Sequence, residues 1–166
     1  MLASVLVALA ALVPAAQTAT LTFTKPDAWT ARTAASSMRV AEFVVPRASG
    51  DAEDGELIVY YFGGGGGSVE DNLQRWMGQV QSTKEPARTS ATVNGLKLTS
   101  LDVSGTYVAE TRPGSSEHYN KPGFRMRATV VETPKGPYFI KLTGPARTID
   151  GAGAALDQFL QSLNFK

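Results

Sequence analysis

His118 is the one histidine in the chain, so a Ser-His-Asp relay or an imidazole-ligated metal would have to run through it. It stands between Glu117 and Tyr119 in a polar stretch, with Glu110 upstream. No G-x-S-x-G elbow occurs to supply an activated serine. A glutamate adjacent to a histidine is no metal-ligand spacing, so a solvated imidazole is the ordinary reading. Paired carboxylates for acid–base work would come from Asp51, Glu53, Asp54 and Glu56. All four fall in one polar segment, where hydration explains them. Asp102 and Glu132 are interesting for lying inside strand-like stretches, where pairing with Arg or Lys across strands is the expected role.

Five consecutive glycines, Gly63, Gly64, Gly65, Gly66 and Gly67, precede Ser68 and an apolar-periodic segment. Glycines before a helix can cradle phosphate with backbone N–H groups and the positive end of the helix dipole. The Walker lysine is absent and the dinucleotide-binding glycine pattern fails at its last position. Glu70 and Asp71 already complement the dipole and would repel an anion. The glycines read as a connection with room for unusual backbone angles, or as a surface lying against a partner. Tyr60, Tyr61, Trp76 and Tyr138 would line a pocket or, as aromatics at strand and helix spacing more often do, fill a core. Arg125, Arg127 and Lys141 would form a basic strip for an anionic ligand if they share a sheet face.

The elements that must hold these residues follow from periodicity. Residues 57–62 are a short apolar run with two aromatics, read as a buried strand. Ser68 and Asp71 form an S-x-x-D capping box, and Val69, Leu73, Trp76, Met77 and Val80 follow at helical spacing, predicting a helix over 68–80. Residues 19–23 and 38–45 alternate as strands, the second joined to 56–62 through the acidic loop 47–55. Asn94-Gly95 between two alternating runs predicts a hairpin. Within its second arm the apolar phase switches from Leu96 and Leu98 to Leu101 and Val103, which predicts a bulge near Thr99-Ser100. Residues 109–123 read as a long polar loop. Residues 124–132 and 138–143 read as another hairpin, and Thr148 as the cap of one last amphipathic helix. The fold class is α+β: an antiparallel sheet built of hairpins with two amphipathic helices packed on it.

Composition excludes several functions. The chain has 16 basic and 15 acidic residues, so net charge gives no reason to expect nucleic acid or an anionic membrane as partner. It has no cysteine, which rules out disulfides, thiol catalysis and thiolate metal sites. Residues 1–16 are apolar and uncharged up to and beyond Pro14. They suit the apolar core of a signal peptide, with residues 1–18 removed and 19–166 forming a single domain. The run is too short for a comfortable membrane span. The expected location is periplasmic or extracellular.

The order of a first strand, Pro26 and Trp29, the hairpin 38–62, the helix 68–80, the turn at Val93-Asn94-Gly95, and a last helix running into Gln161-Ser162-Leu163-Asn164-Phe165 resembles the PsbP-like fold. That is the family of the extrinsic P subunit of the photosystem II oxygen-evolving complex and its bacterial relatives. The resemblance spans most of the mature chain and implies an α/β/α sandwich serving adaptor, assembly or binding roles. It carries over no metal-binding or photosystem-binding residue. The functional expectation is an exported, non-enzymatic binding or accessory protein, without cofactor or metal, that meets an envelope protein partner through residues 63–68 or 109–123. The alternative is a small-ligand binder or hydrolase with a pocket between sheet and helix, using Tyr60, His118, Tyr119 and Arg125.

Overall fold

The computed structural model describes residues 20–166; the signal peptide expected over residues 1–18 lies outside them. In chain order the elements are β1 (Leu21–Thr22), β2 (Thr30–Arg32), β3 (Arg39–Val45), β4 (Gly55–Tyr61), α1 (Val69–Met77), β5 (Val80–Gln81), β6 (Ala87–Val93), β7 (Leu96–Tyr107), β8 (Lys121–Glu132), β9 (Tyr138–Pro145), α2 (Ala146–Gly151), α3 (Gly153–Gln161) and β10 (Asn164–Phe165). The main sheet runs β2-β3-β4-β9-β8-β7-β5, with β6 also paired to β7. All of its pairings are antiparallel. β1 and β10 pair antiparallel in a separate two-stranded ribbon. The fold is α+β, as the hairpin pattern predicts.

Side-chain alternation sorts the sheet into two apolar faces. On one, Leu57 and Val59 of β4, Leu96 and Leu98 of β7, and Ile140 and Leu142 of β9 pack with Ile149, Leu156 and Phe159. On the other, Leu101 and Val103 of β7 and Met126, Ala128 and Val130 of β8 pack with Leu73 and Trp76 of α1. This corrects the expected bulge near Thr99-Ser100. The β6–β7 register runs unbroken from Ala87↔Asp102 to Val93↔Leu96. The apolar phase of β7 changes because the burying layer changes sides along the strand, not because a residue is inserted. The irregularity in β7 instead falls between Gly105 and Tyr107. There a Cβ on Gly105 would overlap the carbonyl of Gln81, so a glycine lets β5 approach.

The helices depart from expectation at their ends. Ser68 caps α1 as predicted: its Oγ accepts from the Asp71 amide at 3.1 Å, and Asp71 Oδ2 accepts from the Ser68 amide at 3.3 Å. The Ser68 hydroxyl also donates to Asp71 Oδ2 at 2.6 Å, and this bond, with that of the Ser68 amide, holds the exposed Asp71 carboxyl below its usual range. The helix ends at Gly78, and the buried Val80 belongs to β5. The single last helix is two, α2 and α3, joined at Ala152. Thr148 is not its cap but lies buried within α2. The capping acceptor comes from far away in sequence: Asp51 Oδ2 accepts from the Thr148 amide at 3.0 Å and its hydroxyl at 2.6 Å. Local spacing cannot reveal such a partner.

Candidate functional site

The α1 face of the sheet carries an open cleft of about 1270 Å³. Its floor is β4 and β9, and its walls are the C-terminal end of α1, the end of β7 and the 109–120 segment. Lys141 stands on that floor, opposite Ile58 on β4 and Ala128 on β8. Its Nζ donates to Gln79 Oε1 at 2.5 Å and to Tyr107 Oη at 3.0 Å, and lies 5.1 Å from the Tyr107 ring centroid. Neither hydrogen-bond partner is a carboxylate. Burial pushes the Lys141 ammonium down to about 8; the positive field of Arg75 lowers it further, and Glu56 opposes both. Burial also raises the Tyr107 hydroxyl above the ordinary phenol range, so it stays protonated.

Each group is placed by a local feature. Gln79 directly follows the Gly78 cap, and its carbonyl accepts from the Val108 amide at 2.9 Å. That bond continues the β5–β7 pairing, in which Val80 faces Tyr107. Tyr107 is stacked between Tyr119, at 5.7 Å, and Phe124, at 6.0 Å between centroids. Lys121 Nζ lies 5.1 Å from the Tyr119 ring and 5.2 Å from the Phe124 ring, and donates to Glu53 Oε2 at 2.6 Å. Tyr60 and Phe62 stack at 6.0 Å on the other side, with the Arg39 guanidinium 5.8 Å from the Tyr60 ring. Arg39 is itself held by the buried Glu42 at 3.0 Å. Met38 and Phe62 are exposed at the rim.

Residues 121–123 of the expected loop belong to β8, and the remaining 109–120 segment is ordered by its own hydrogen bonds. The Tyr119 amide donates to Ala109 O at 2.9 Å and the Thr111 amide to Glu117 O at 3.0 Å, and Glu110 bridges to His118. His118 and Tyr119 both line the cleft with Tyr60. The His118 ring is exposed and shares its Nδ1 with Ser116 O at 3.1 Å.

Arg125 is not with them. It and Arg127 lie on the α2–α3 face, where Arg125 Nε and Nη2 donate to Asp102 Oδ1 and Oδ2 at 2.8 and 2.6 Å. Arg125 also pairs with Asp150, and Arg127 with Asp157 at 3.1 Å. The expected basic strip is therefore corrected: in the β8–β9 register Lys141 faces Ala128, one residue out of phase with both arginines, and so points to the opposite face.

Gly63, Gly64, Gly65, Gly66, Gly67 and Ser68 lie apart from the residues that line the cleft. Asn72, fully buried, donates from Nδ2 to Gly66 O and Ser68 O, both at 2.8 Å. A Cβ on Gly66 would stand 2.7 Å from Phe139 Cε2, and one on Gly136 would overlap Gly64. Gly63, Gly64, Gly66 and Gly67 all have positive φ. The run is a tight packing joint between the sheet and α1. Among the described residues no group of three His, Cys, Asp or Glu side chains could hold a metal, and no helix is long and apolar enough to cross a membrane.

Gln79, Tyr107 and the role of Lys141 are what sequence reasoning missed. A lysine between Ile140 and Leu142 in a strand was the available signal. Its force depends on β9 being central, which rests on the non-sequential β4–β9 pairing.

No family model matches the chain, and no curated protein matches it in sequence. Among solved structures it is similar to PA94 of Pseudomonas aeruginosa, a protein of unknown function, at 17% identity and a TM-score of 0.51, over 87% of this chain and 96% of that one. It is also similar to cyanobacterial PsbP from Synechocystis sp. PCC 6803, at 14% identity and a TM-score of 0.49, over 94% and 98%. The fold is shared with PA94 along nearly the whole of both chains.

Proposed function

We propose that this is an exported, non-enzymatic binding protein whose site is the cleft between the sheet and α1. The observation that carries this reading is Lys141: a half-buried amine with no carboxylate hydrogen-bond partner, on the floor of a cleft of about 1270 Å³ walled by aromatic rings. Ligand sites are concave and mostly apolar, with a few convergent polar groups. A lysine whose ammonium is disfavoured by burial in such a place is kept there at a cost in stability. The apolar residues 1–16 support export. We read the packing of helices on both faces as an α/β/α sandwich, in which α1 and the 109–120 segment serve as the cleft's walls.

Equilibrium binding tests the proposal. A panel of small aromatic and aliphatic carbonyl and carboxylate compounds is titrated against the full chain and against Tyr107→Leu. Saturable one-to-one binding that weakens at least tenfold in the variant, with the fold retained, supports it. A panel bound equally by both proteins, or by neither, overturns it.

A further inference from the structure

We propose that the cleft captures carbonyl compounds covalently, with Lys141 as the nucleophile and an aromatic aldehyde or ketone as the ligand class. The inference rests on the cleft reading and adds the chemistry of its floor.

Four features converge on it. The Lys141 nitrogen is positioned rather than swinging free, held by Gln79 and Tyr107. Among the described residues no salt bridge engages it, whereas Lys121, which lines the same cleft, is bound to Glu53. The charges acting on it are Arg75 of α1 and Glu56 of β4, and Tyr60 of β4, Tyr107 of β7, Lys121 of β8, His118 and Tyr119 line the same cleft. Burial and the nearby guanidinium favour the free amine, the two influences that activate lysine for addition to carbonyls. The stacked rings of Tyr107, Tyr119 and Phe124 give a planar apolar group a surface to lie on.

The step balances without a further reactant. The amine lone pair forms the C–N bond, and the carbonyl π pair moves to oxygen. Both amine hydrogens then leave with that oxygen as one water, giving an imine. The bond is reversible, so the protein would hold and release its ligand rather than turn it over.

The test uses the full chain with benzaldehyde and cyanoborohydride, which delivers hydride to the imine carbon. Peptide mass mapping then locates the adduct. Lys141 is expected to be labelled at least tenfold faster than Lys84 or Lys135 at neutral pH, because roughly 1 in 10 of its amines is uncharged there against fewer than 1 in 1000 for an ordinary lysine. Its labelling rate should level off above about pH 8, while the surface lysines continue to rise. Lys141→Met should lose that adduct alone. Benzyl alcohol, which cannot form an imine, separates the two claims. If it occupies the cleft by chemical-shift mapping while Lys141 is labelled no faster than Lys84, the covalent inference fails and the cleft stands. If neither compound enters the cleft and Lys141 is not labelled preferentially, both fail.

Discussion

Arg125 lies against Asp102 across β8 and β7 with two parallel hydrogen bonds, at 2.8 and 2.6 Å. Asp102 comes first among the influences that raise the guanidinium's affinity for its proton above the ordinary arginine range; burial opposes it, and Asp150 adds to it. The fork ties β8 to β7, and the pair with Asp150 ties Arg125 to α2, so the guanidinium is a structural clamp and not part of the ligand cleft.

Removing that clamp has a defined consequence. Arg125→Ala leaves Asp102 with only the more distant Arg127, at 3.7 Å. The expected loss is about 1–3 kcal/mol, between the ranges for exposed and buried pairs. It should be read from urea unfolding and should shrink at high salt. Ligand binding in the cleft should be unchanged.

Lys141 predicts a pH dependence of stability. Its amine titrates near the ordinary 10.5 when unfolded and near 8 in the fold. Between those values the unfolded chain binds more protons, so this group's contribution to stability rises with pH across that window. Below about 8 both states are charged and the penalty is complete. Going from about pH 11 to pH 7, the stability difference between wild type and Lys141→Met should therefore move in favour of the variant. The shift should be on the order of 1–3 kcal/mol, allowing for partial solvent contact. A difference constant with pH would show that the amine is not enclosed.

The glycine run separates a packing joint from a flexible tether. Gly66→Ala forces a residue with φ +111° against Phe139 and should cost more than about 2 kcal/mol. Gly65 has ordinary φ, and an added Cβ would find its nearest atom, Phe62 O, at 3.5 Å. Gly65→Ala should lie within about 0.5 kcal/mol of wild type. Thermal unfolding of the two variants gives the comparison, and equal tolerance of both would favour a loose loop.

What could be read beforehand was local. Ser68 and Asp71 announce a helix start because capping is settled within three residues. Asn94-Gly95 announces a hairpin for the same reason, and both residues take positive φ, at 48° and 80°. What escaped depends on contacts distant in sequence. Asp51 caps α2 from the β3–β4 loop, and the two burial phases of β7 make sense only with layers on both faces. Lys141 looked like a partner of Arg125 until the β8–β9 register put them on opposite faces. Of the candidate residues, His118 and Tyr119 reach the cleft because Glu110 and His118 bridge to fold their segment back. No sequence signal linked them to Gln79.

The most direct test of the cleft as the binding site is a two-dimensional proton–nitrogen NMR titration of the full chain with a small aromatic fragment set. The Gln79 side-chain amide, whose oxygen accepts from Lys141, is a built-in reporter. Saturable shifts are expected at that amide and at the backbone amides of Tyr107, Val108 and Lys141, with the glycine run and the Arg125 clamp unmoved. Saturable shifts confined to residues 63–68 or to the α2–α3 face, with Gln79 silent, would contradict it.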